Sequence, residues 1–137
     1  MSLFVDTSAW YAAADTGDRS NQRAIKVLRS EEPMVTSDHV LVETWLLIRR
    51  RLGMHAANRF WGGLRSGVAA IEPVGVGDLE LAWEIGEAFP DQAFSVVDRT
   101  SFALMQRLGF ERVATFDSDF AVYRFGPKRD RAFTVVG

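Results

Sequence analysis

Residues 94–120 read FSVVDRTSFALMQRLGFERVATFDSDF, a pattern that predicts a helix followed by a short strand. Ser95 and Asp98 stand at the spacing of a capping box, in which each side chain binds the backbone N–H of the other residue. The apolar residues that follow recur at helical spacing: Val97, Phe102, Leu104, Met105 and Leu108. Because Gly109 interrupts this run, the helix is expected to end there.

Acidic residues stand where predicted strands end. Val113–Phe116 is a β-prone run that closes on Asp117, and Asp119 lies two positions further on. Near the start of the chain, Leu3–Val5 has the pattern of a buried strand and closes on Asp6. Both ends of the chain therefore supply a strand that finishes at a carboxylate.

Helices and strands alternate along the whole chain. The remaining predicted strands are Met34–Thr36, a peripheral strand over Val68–Val74, and a last strand over Phe133–Val136. The first two remaining helices are one capped by Thr7 or Ser8 that runs to Ala14 and one over Asn21–Glu31 that is ended by Pro33. The other three are a helix from Ser37 or Asp38 to Leu52, a weaker helix over His55–Leu64, and a helix capped by Asp78 that runs to Phe89. This order predicts an α/β fold with a mostly parallel sheet covered on both faces. We find no repeat or linker, so residues 1–137 are expected to form one domain.

The predicted topology brings four acidic residues to one edge of the sheet. Ligands of such sheets bind outside the carboxyl ends of the strands. Asp6 and Asp117 end strands, and a helix that follows a strand begins on the same edge, which adds Glu43 and Asp98. Four carboxylates from four separate parts of the chain are thus expected to converge.

Composition narrows the class of protein. The chain has 137 residues, of which 47% are hydrophobic and 25% charged, as in ordinary globular proteins. A net charge of -2 and a pI near 5.7 argue against nucleic-acid binding through bulk charge. The N-terminus does not resemble a signal peptide, and no uncharged stretch approaches the ~18 residues of a membrane span. We therefore expect a cytoplasmic protein.

Each acid also has a purely structural interpretation. Asp98 is a helix cap, Asp6 fits an Asx turn and Asp117 fits a loop. Glu43 is harder to explain in this way, because its helical neighbours are mostly apolar and none is basic. A glutamate that reaches solvent remains the structural alternative for that position.

A divalent cation would explain why these acids converge. Two like charges ~4 Å apart repel by about 4 kcal/mol at an effective dielectric near 20. Oxygen ligands without any cysteine favour Mg²⁺ or Mn²⁺ over Zn²⁺. A metal held in this way polarises a phosphoryl group and lowers the pKa of bound water. The predicted chemistry is metal-dependent hydrolysis of a phosphate ester.

Four motifs carry a resemblance to a known family. They are VDTS with Asp6, the helical Glu43, SVVDRTSFALMQRLG with Asp98, and ATFDSDF with Asp117. Together they resemble the PIN-domain ribonucleases, and specifically the VapC-type toxins of prokaryotic toxin–antitoxin pairs. The resemblance extends from Leu3 to about Phe120.

The resemblance implies a three-layer α/β/α fold and RNA cleavage that depends on Mg²⁺ or Mn²⁺. It implies catalytic and metal-binding roles for Asp6, Glu43, Asp98 and Asp117, with Asp119 as an additional ligand. Ser8 and Thr115 would be polar supports. It also implies a homodimer and a small cognate antitoxin, whose C-terminal segment lies in a groove between helices and brings a basic residue to the acids.

Other functions fit the sequence less well. A receiver-like signalling domain would pair two acids after its first strand, but Asp6 is followed by Thr7. An aspartyl-phosphate phosphatase needs an aspartate where Ser8 stands. A PIN fold that only binds, without nuclease activity, remains the alternative. His39 and His55 have no partner at ligand spacing, so no catalytic role is expected for them.

A run of three arginines and the four tryptophans have structural interpretations. Three consecutive arginines, residues 49–51, are interpreted as a solvated helix end that complements the helix dipole. The tryptophans are interpreted as core or partner-groove residues, at Trp10, Trp45, Trp61 and Trp83.

Overall fold

The computed structural model describes residues 2–137, which contain five strands and seven helices. The strands are β1 (Leu3–Val5), β2 (Met34–Ser37), β3 (Ala70–Glu72), β4 (Arg112–Ala114) and β5 (Thr134–Val136). The helices are α1 (Thr7–Ala14), α2 (Asn21–Leu28), α3 (Asp38–Leu52), α4 (Met54–Arg65), α5 (Val76–Ala88), α6 (Val96–Leu108) and α7 (Asp119–Val122). None of the helices in these residues is long and apolar enough to cross a membrane.

The strands form one sheet in the order β3-β2-β1-β4-β5, and all four pairings are parallel. The central strand β1 pairs through Leu3 with both Met34 and Arg112. The chain passes outward from β1 through β2 to β3, then crosses to β4 on the other side of β1. Because crossovers between parallel strands are right-handed as a rule, connections that run in opposite directions place helices on both faces of the sheet, and the predicted α/β/α fold is confirmed.

The reversal of strand order creates a switch point between β1 and β4. In open parallel sheets, the crevice at the carboxyl end of such a point is where ligands bind. Asp6 follows β1 directly, and Asp117 lies in the loop that follows β4. The topology alone therefore brings these two residues to the same crevice.

The core holds the helices that supply the other acids. The side chains of β1 are completely buried, as expected for the central strand of a parallel sheet. An aromatic cluster anchors α6, with Phe102 stacked on Tyr123 at a centroid distance of 4.3 Å and edge-on to Phe120 at 4.9 Å. Asp98 is thus part of a helix whose central turns are fixed by packing.

Several predicted boundaries were wrong. Asp78 is not the N-cap of α5: the helix is preceded by Gly75, and the Asp78 Oδ2 atom accepts a hydrogen bond from the Gly75 N–H at 2.8 Å. The first helix begins at Thr7, so Asp6 occupies its N-cap position. The second helix ends at Leu28 instead of Glu31, with Arg29 as its C-cap.

The structure differs from the prediction at two further places near the end of the chain. Strand β4 ends at Ala114, although the Thr115 N–H still donates to the Val136 carbonyl at 3.1 Å. The short helix α7 was not predicted. The two caps at Ser37 and Ser95 are confirmed, and β3 lies at the sheet edge as predicted.

The tryptophans divide between core and surface. Trp10 is buried, whereas the side chains of Trp61 and Trp83 are 45% and 66% exposed. The core interpretation therefore fails for these two residues, and a partner-groove role for them stays a prediction.

Candidate active site

Three carboxylates form a tight group at the switch point. Asp98, Asp117 and Asp119 each present one carboxylate oxygen, and these oxygens all lie within 4.8 Å of one another. Asp98 comes from the first turn of α6, Asp117 from the loop after β4 and Asp119 from the first residue of α7. Asp119, which the sequence suggested only as an additional ligand, is thus a full member of the group.

Hydrogen bonds hold each of three acids through one oxygen. Asp98 Oδ2 accepts from the Ser95 N–H at 3.1 Å, and Asp117 Oδ1 accepts from the Asp119 N–H at 3.0 Å. Asp6 Oδ2 accepts hydrogen bonds from the hydroxyls of Ser8 and Thr115. Because a carboxylate has two acceptor oxygens, an acid held in this way through one oxygen can still bind a further partner.

Ser8 and Thr115 join the ends of β1 and β4. Their hydroxyls lie 3.0 Å apart, and they donate to Asp6 Oδ2 at 3.2 and 3.0 Å, respectively. Ser8 Oγ also accepts from the Phe116 N–H, and Thr115 Oγ1 accepts from the Asp117 N–H. The two residues predicted as polar supports therefore link Asp6 to the backbone that carries Asp117.

The electrostatics of the site disfavour several negative charges. Burial, reinforced by the charge of Asp98, raises the pKa of Asp6 to about 7. Burial and the neighbouring carboxylates of Asp98 and Asp117 raise the pKa of Asp119 to about 7. Without a counter-ion, protons are therefore retained by this cluster at a pH where free aspartates have lost them.

Glu43 lies beside the group, in the wall of a groove of about 780 Å³. Burial raises the pKa of its carboxyl, an effect opposed by the Thr7 hydroxyl and reinforced by the charges of Asp98 and Asp117. Glu43 forms no ion pair within residues 2–137, as its helical neighbours predicted. Of the four predicted acids, Asp98 and Asp117 belong to the closest group, whereas Asp6 and Glu43 lie outside it but near enough for the charges of Asp98 and Asp117 to raise their pKa values.

A hard divalent cation fits this set of groups. All the candidate ligands are oxygen atoms, which Mg²⁺ and Mn²⁺ prefer. The buried Thr7 Oγ1 has no hydrogen bond of normal geometry, although it is close enough to Glu43 to lower the pKa of that carboxyl. The group formed by Asp98, Asp117 and Asp119 could therefore bind such a cation.

Two arginines contact the surroundings of the acids: Arg23, for which the sequence predicted no role, and Arg50, which was interpreted as part of a solvated helix end. The Arg23 guanidinium lies 5.1 Å from the ring centre of Phe116, the residue before Asp117, and forms no ion pair in the described part of the chain. Arg50 lines the groove that contains Glu43 and His39. No local sequence signal indicates the Arg23 contact, because it joins α2 to the distant end of β4.

The remaining arginines of residues 49–51 contact aromatic rings. Arg49 lies 5.9 Å from the ring centre of Trp45, and Arg51 lies 5.2 Å from that of Tyr11. Contacts between a cation and an aromatic ring contribute only modestly to stability at exposed positions. These two residues therefore keep their structural interpretation.

Comparison with known proteins identifies the family. The PIN domain family matches residues 3–126. The 23S rRNA-specific endonuclease VapC20 of Mycobacterium tuberculosis is 40% identical over 90% of this chain and 95% of its own length. Ribonuclease VapC26 of the same species is 25% identical over 98% of this chain and 99% of its own length.

Solved structures agree with the sequence relatives. The crystal structure of VapC20, described as a Sarcin-Ricin loop cleaving toxin, has a TM-score of 0.83 at 38% identity and covers 88% of this chain and 93% of that one. FitAcB from Neisseria gonorrhoeae has a TM-score of 0.70 at 18% identity, covers 100% of this chain and 97% of that one, and shows the shared fold alone. The chain therefore belongs to the PIN-domain family and, within it, to the VapC-type proteins.

Proposed function

We propose that this protein is a metal-dependent endoribonuclease and the toxin of a type II toxin–antitoxin pair. The observation that carries the proposal is the group formed by Asp98, Asp117 and Asp119 at the switch point of a parallel sheet. The activity printed for VapC20, cleavage of 23S rRNA, supports RNA as the substrate class. Ribosomal RNA is therefore the first substrate to test, with the cytoplasm as the site of action.

Mg²⁺ or Mn²⁺ is the cofactor that these residues would hold. Asp98, Asp117 and Asp119 would supply the nearest ligands, with Asp6 behind them. Such an ion, when bound, polarises a phosphoryl oxygen and lowers the pKa of its water. Neutralising the shared negative charge would also let Asp6 and Asp119 ionise at neutral pH.

The chain's own residues then act on the substrate and on water. Asp6, through Ser8 and Thr115, fixes the position of the loop that carries Asp117. Glu43 lies outside the group of nearest ligands and would therefore be free to accept a proton from the attacking water, and burial raises its pKa, which makes its carboxylate a stronger base. Arg23 is suited to bind an RNA phosphate next to the acids, since its guanidinium is exposed and has no acidic partner.

An apolar groove supports the antitoxin as a protein partner. The groove lies between α1, α2 and α4, has a volume of about 380 Å³, and includes the rings of Trp10 and Phe60 in its wall. We propose that the apolar C-terminal segment of the antitoxin lies here. A basic residue further along that segment would then reach the acid cluster.

Exposed apolar side chains on α3 and on α5 support a homodimer. Val42 and Leu46 on α3 are 55% and 56% exposed, and Val76 and Trp83 on α5 are 76% and 66% exposed. Large apolar side chains at such exposure are commonly covered by another chain. We propose that a second copy covers the side chains on α3 and α5.

The activity is tested with purified protein freed of antitoxin. We expect it to cleave single-stranded or loop RNA, with 23S rRNA as the first substrate, when Mg²⁺ or Mn²⁺ is present. Asp98→Asn should lower the rate at least about a hundredfold while the protein remains folded. The matched control, Asp91→Asn, changes an exposed acid outside the cluster and should cleave normally. Cleavage that persists in EDTA, or at full rate in Asp98→Asn, would contradict the proposal.

The toxin role needs a separate experiment. Induced expression in a host that lacks the antitoxin should arrest growth, and co-expression of the antitoxin should restore it. Normal growth with active, soluble protein would contradict the toxin role without contradicting the nuclease activity.

A further inference from the structure

The Arg99 side chain of α6 lies against α5 at Gly86, a position that carries no side chain. A Cβ atom added to Gly86 would overlap the Arg99 guanidinium. By contrast, a Cβ atom added to Gly62 in α4 would meet nothing within 4 Å. Glycine weakens a helix relative to alanine. An alanine at position 86 would therefore have to move the end of the Arg99 side chain, whereas an alanine at position 62 would displace nothing.

The Arg99 side chain binds backbone and not a carboxylate. Its Nε–H donates to the Phe94 carbonyl at 3.0 Å, and it forms no ion pair within residues 2–137. The Phe94 ring is buried and lies edge-on to Phe102 at a centroid distance of 5.2 Å. Arg99 therefore ties its own helix to a fixed point just before that helix begins.

That fixed point is next to the turn that orients Asp98. Ser95 follows Phe94 and caps α6: its N–H donates to Asp98 Oδ2 at 3.1 Å, and its Oγ accepts from the Asp98 N–H at 3.0 Å. A shift of the Phe94 carbonyl would move Ser95, and Ser95 would move the Asp98 carboxylate. One hydrogen bond from Arg99 thus acts on the position of Asp98.

A second arginine holds the opposite end of the same helix pair. Arg107, two turns further along α6, binds both carboxylate oxygens of Asp78 near the start of α5 at 2.9 Å. Because α5 and α6 are joined at that end independently, loss of the Arg99 contact should leave the two helices packed. The effect should then be confined to the first turn of α6.

We propose that Arg99, seated against Gly86, is a positioning residue for Asp98. Its effect on cleavage rests on the proposed function, in which Asp98 acts in RNA hydrolysis. Its effect on the first turn of α6 does not depend on that function. These two parts can be measured separately.

The test compares Gly86→Ala, Arg99→Ala and the double variant with the control Gly62→Ala. In RNA cleavage with saturating Mn²⁺, we expect the single variants at positions 86 and 99 to lose about tenfold to a hundredfold in kcat, with less than about a twofold change in KM. Gly62→Ala should behave as the parent protein. The double variant should be no slower than Arg99→Ala, because alanine at position 86 acts only by displacing that side chain.

Hydrogen exchange without metal provides the readout that needs no activity. The Asp98 amide should exchange at least about tenfold faster in Gly86→Ala and Arg99→Ala than in Gly62→Ala, because its acceptor Ser95 Oγ is released. If Arg99→Ala does not fold, Gly86→Ala and Arg99→Lys carry the comparison, since lysine keeps the charge but lacks the Nε–H donor.

Three outcomes separate the possibilities. Unchanged exchange at Asp98 overturns the positioning role, whether or not the protein cleaves RNA. Faster exchange with an unchanged kcat also overturns it, because the position of Asp98 would then not matter for the reaction. A parent protein that cleaves no RNA contradicts the proposed function, and the exchange data still decide whether Arg99 holds the turn.

Discussion

Asp6 is predicted to destabilise the metal-free protein above neutral pH. Its side chain is buried, with 3% of its surface exposed, and its pKa rises from 3.8 to about 7. The folded state therefore binds a proton that the unfolded state has released between about pH 4 and pH 7, and stability falls as the pH rises through that window. A shift of about 3 pKa units corresponds to about 4 kcal/mol, which is an upper limit because the site can relax.

Asp6→Asn removes the charge but keeps the shape and one acceptor oxygen. That oxygen can still accept from Ser8 and Thr115, so the link between β1 and β4 is retained. We expect the metal-free variant to be more stable than the parent by about 1–3 kcal/mol at pH 8. The corresponding rise in Tm is about 3–10 °C for a chain of this size. The difference in stability between Asp6→Asn and the parent should shrink towards pH 4.

Thermal unfolding in EDTA, followed by circular dichroism at several pH values, measures this difference. Asp91→Asn is the control, because this exposed acid lies outside the cluster and should change Tm little at any pH. Mn²⁺ should then raise the Tm of the parent more than that of Asp6→Asn, since a ligand that binds the folded state stabilises it. An Asp6→Asn protein that is less stable than the parent at pH 8 would refute the electrostatic argument.

Two further substitutions test contacts away from Asp6. Arg107→Ala leaves the buried Asp78 carboxylate without its bidentate partner, so we expect the free energy of unfolding, measured in urea, to fall by about 1–3 kcal/mol. Arg112→Ala should lower it less, because its partner Glu32 is more exposed. An equal fall in the free energy of unfolding for Arg112→Ala and Arg107→Ala would contradict this prediction. Arg23→Ala should weaken RNA binding measured in Ca²⁺, whereas Arg29→Ala, at the other end of α2, should not. Equal binding by both variants would remove Arg23 from the RNA contact.

Local sequence signals predicted the caps that orient Asp98 and α3. The bonds between Ser95 and Asp98, and from Ser37 Oγ to the Val40 N–H, join residues only three positions apart. Such bonds depend on residue type and spacing, which a sequence displays directly. The convergence of acids was predicted for a different reason, because strand ends and helix starts share one edge in any parallel α/β sheet.

Contacts between distant residues account for what the sequence did not predict. An acid before an apolar run fits an N-cap or the third position of a helix equally well. Asp78 takes the third position, where it also binds Arg107. Helix α7 has four residues and no helical periodicity, and the completely buried ring of Phe120 places it. The place of Asp119 within the acid group follows from that packing.

The site combines strong local order with unfavourable electrostatics. Ser95, Asp119 and the Ser8–Thr115 pair each supply a donor to one oxygen of a neighbouring acid, so the carboxylates are held in place before any partner binds. The pKa values of Asp6 and Asp119, both raised to about 7, show that the same arrangement opposes ionisation. A structure that fixes acids where they repel one another gains nothing in stability from doing so. A site that binds a cation would gain from the same arrangement, because Asp98 can cap its helix through one oxygen and has a second oxygen for another partner.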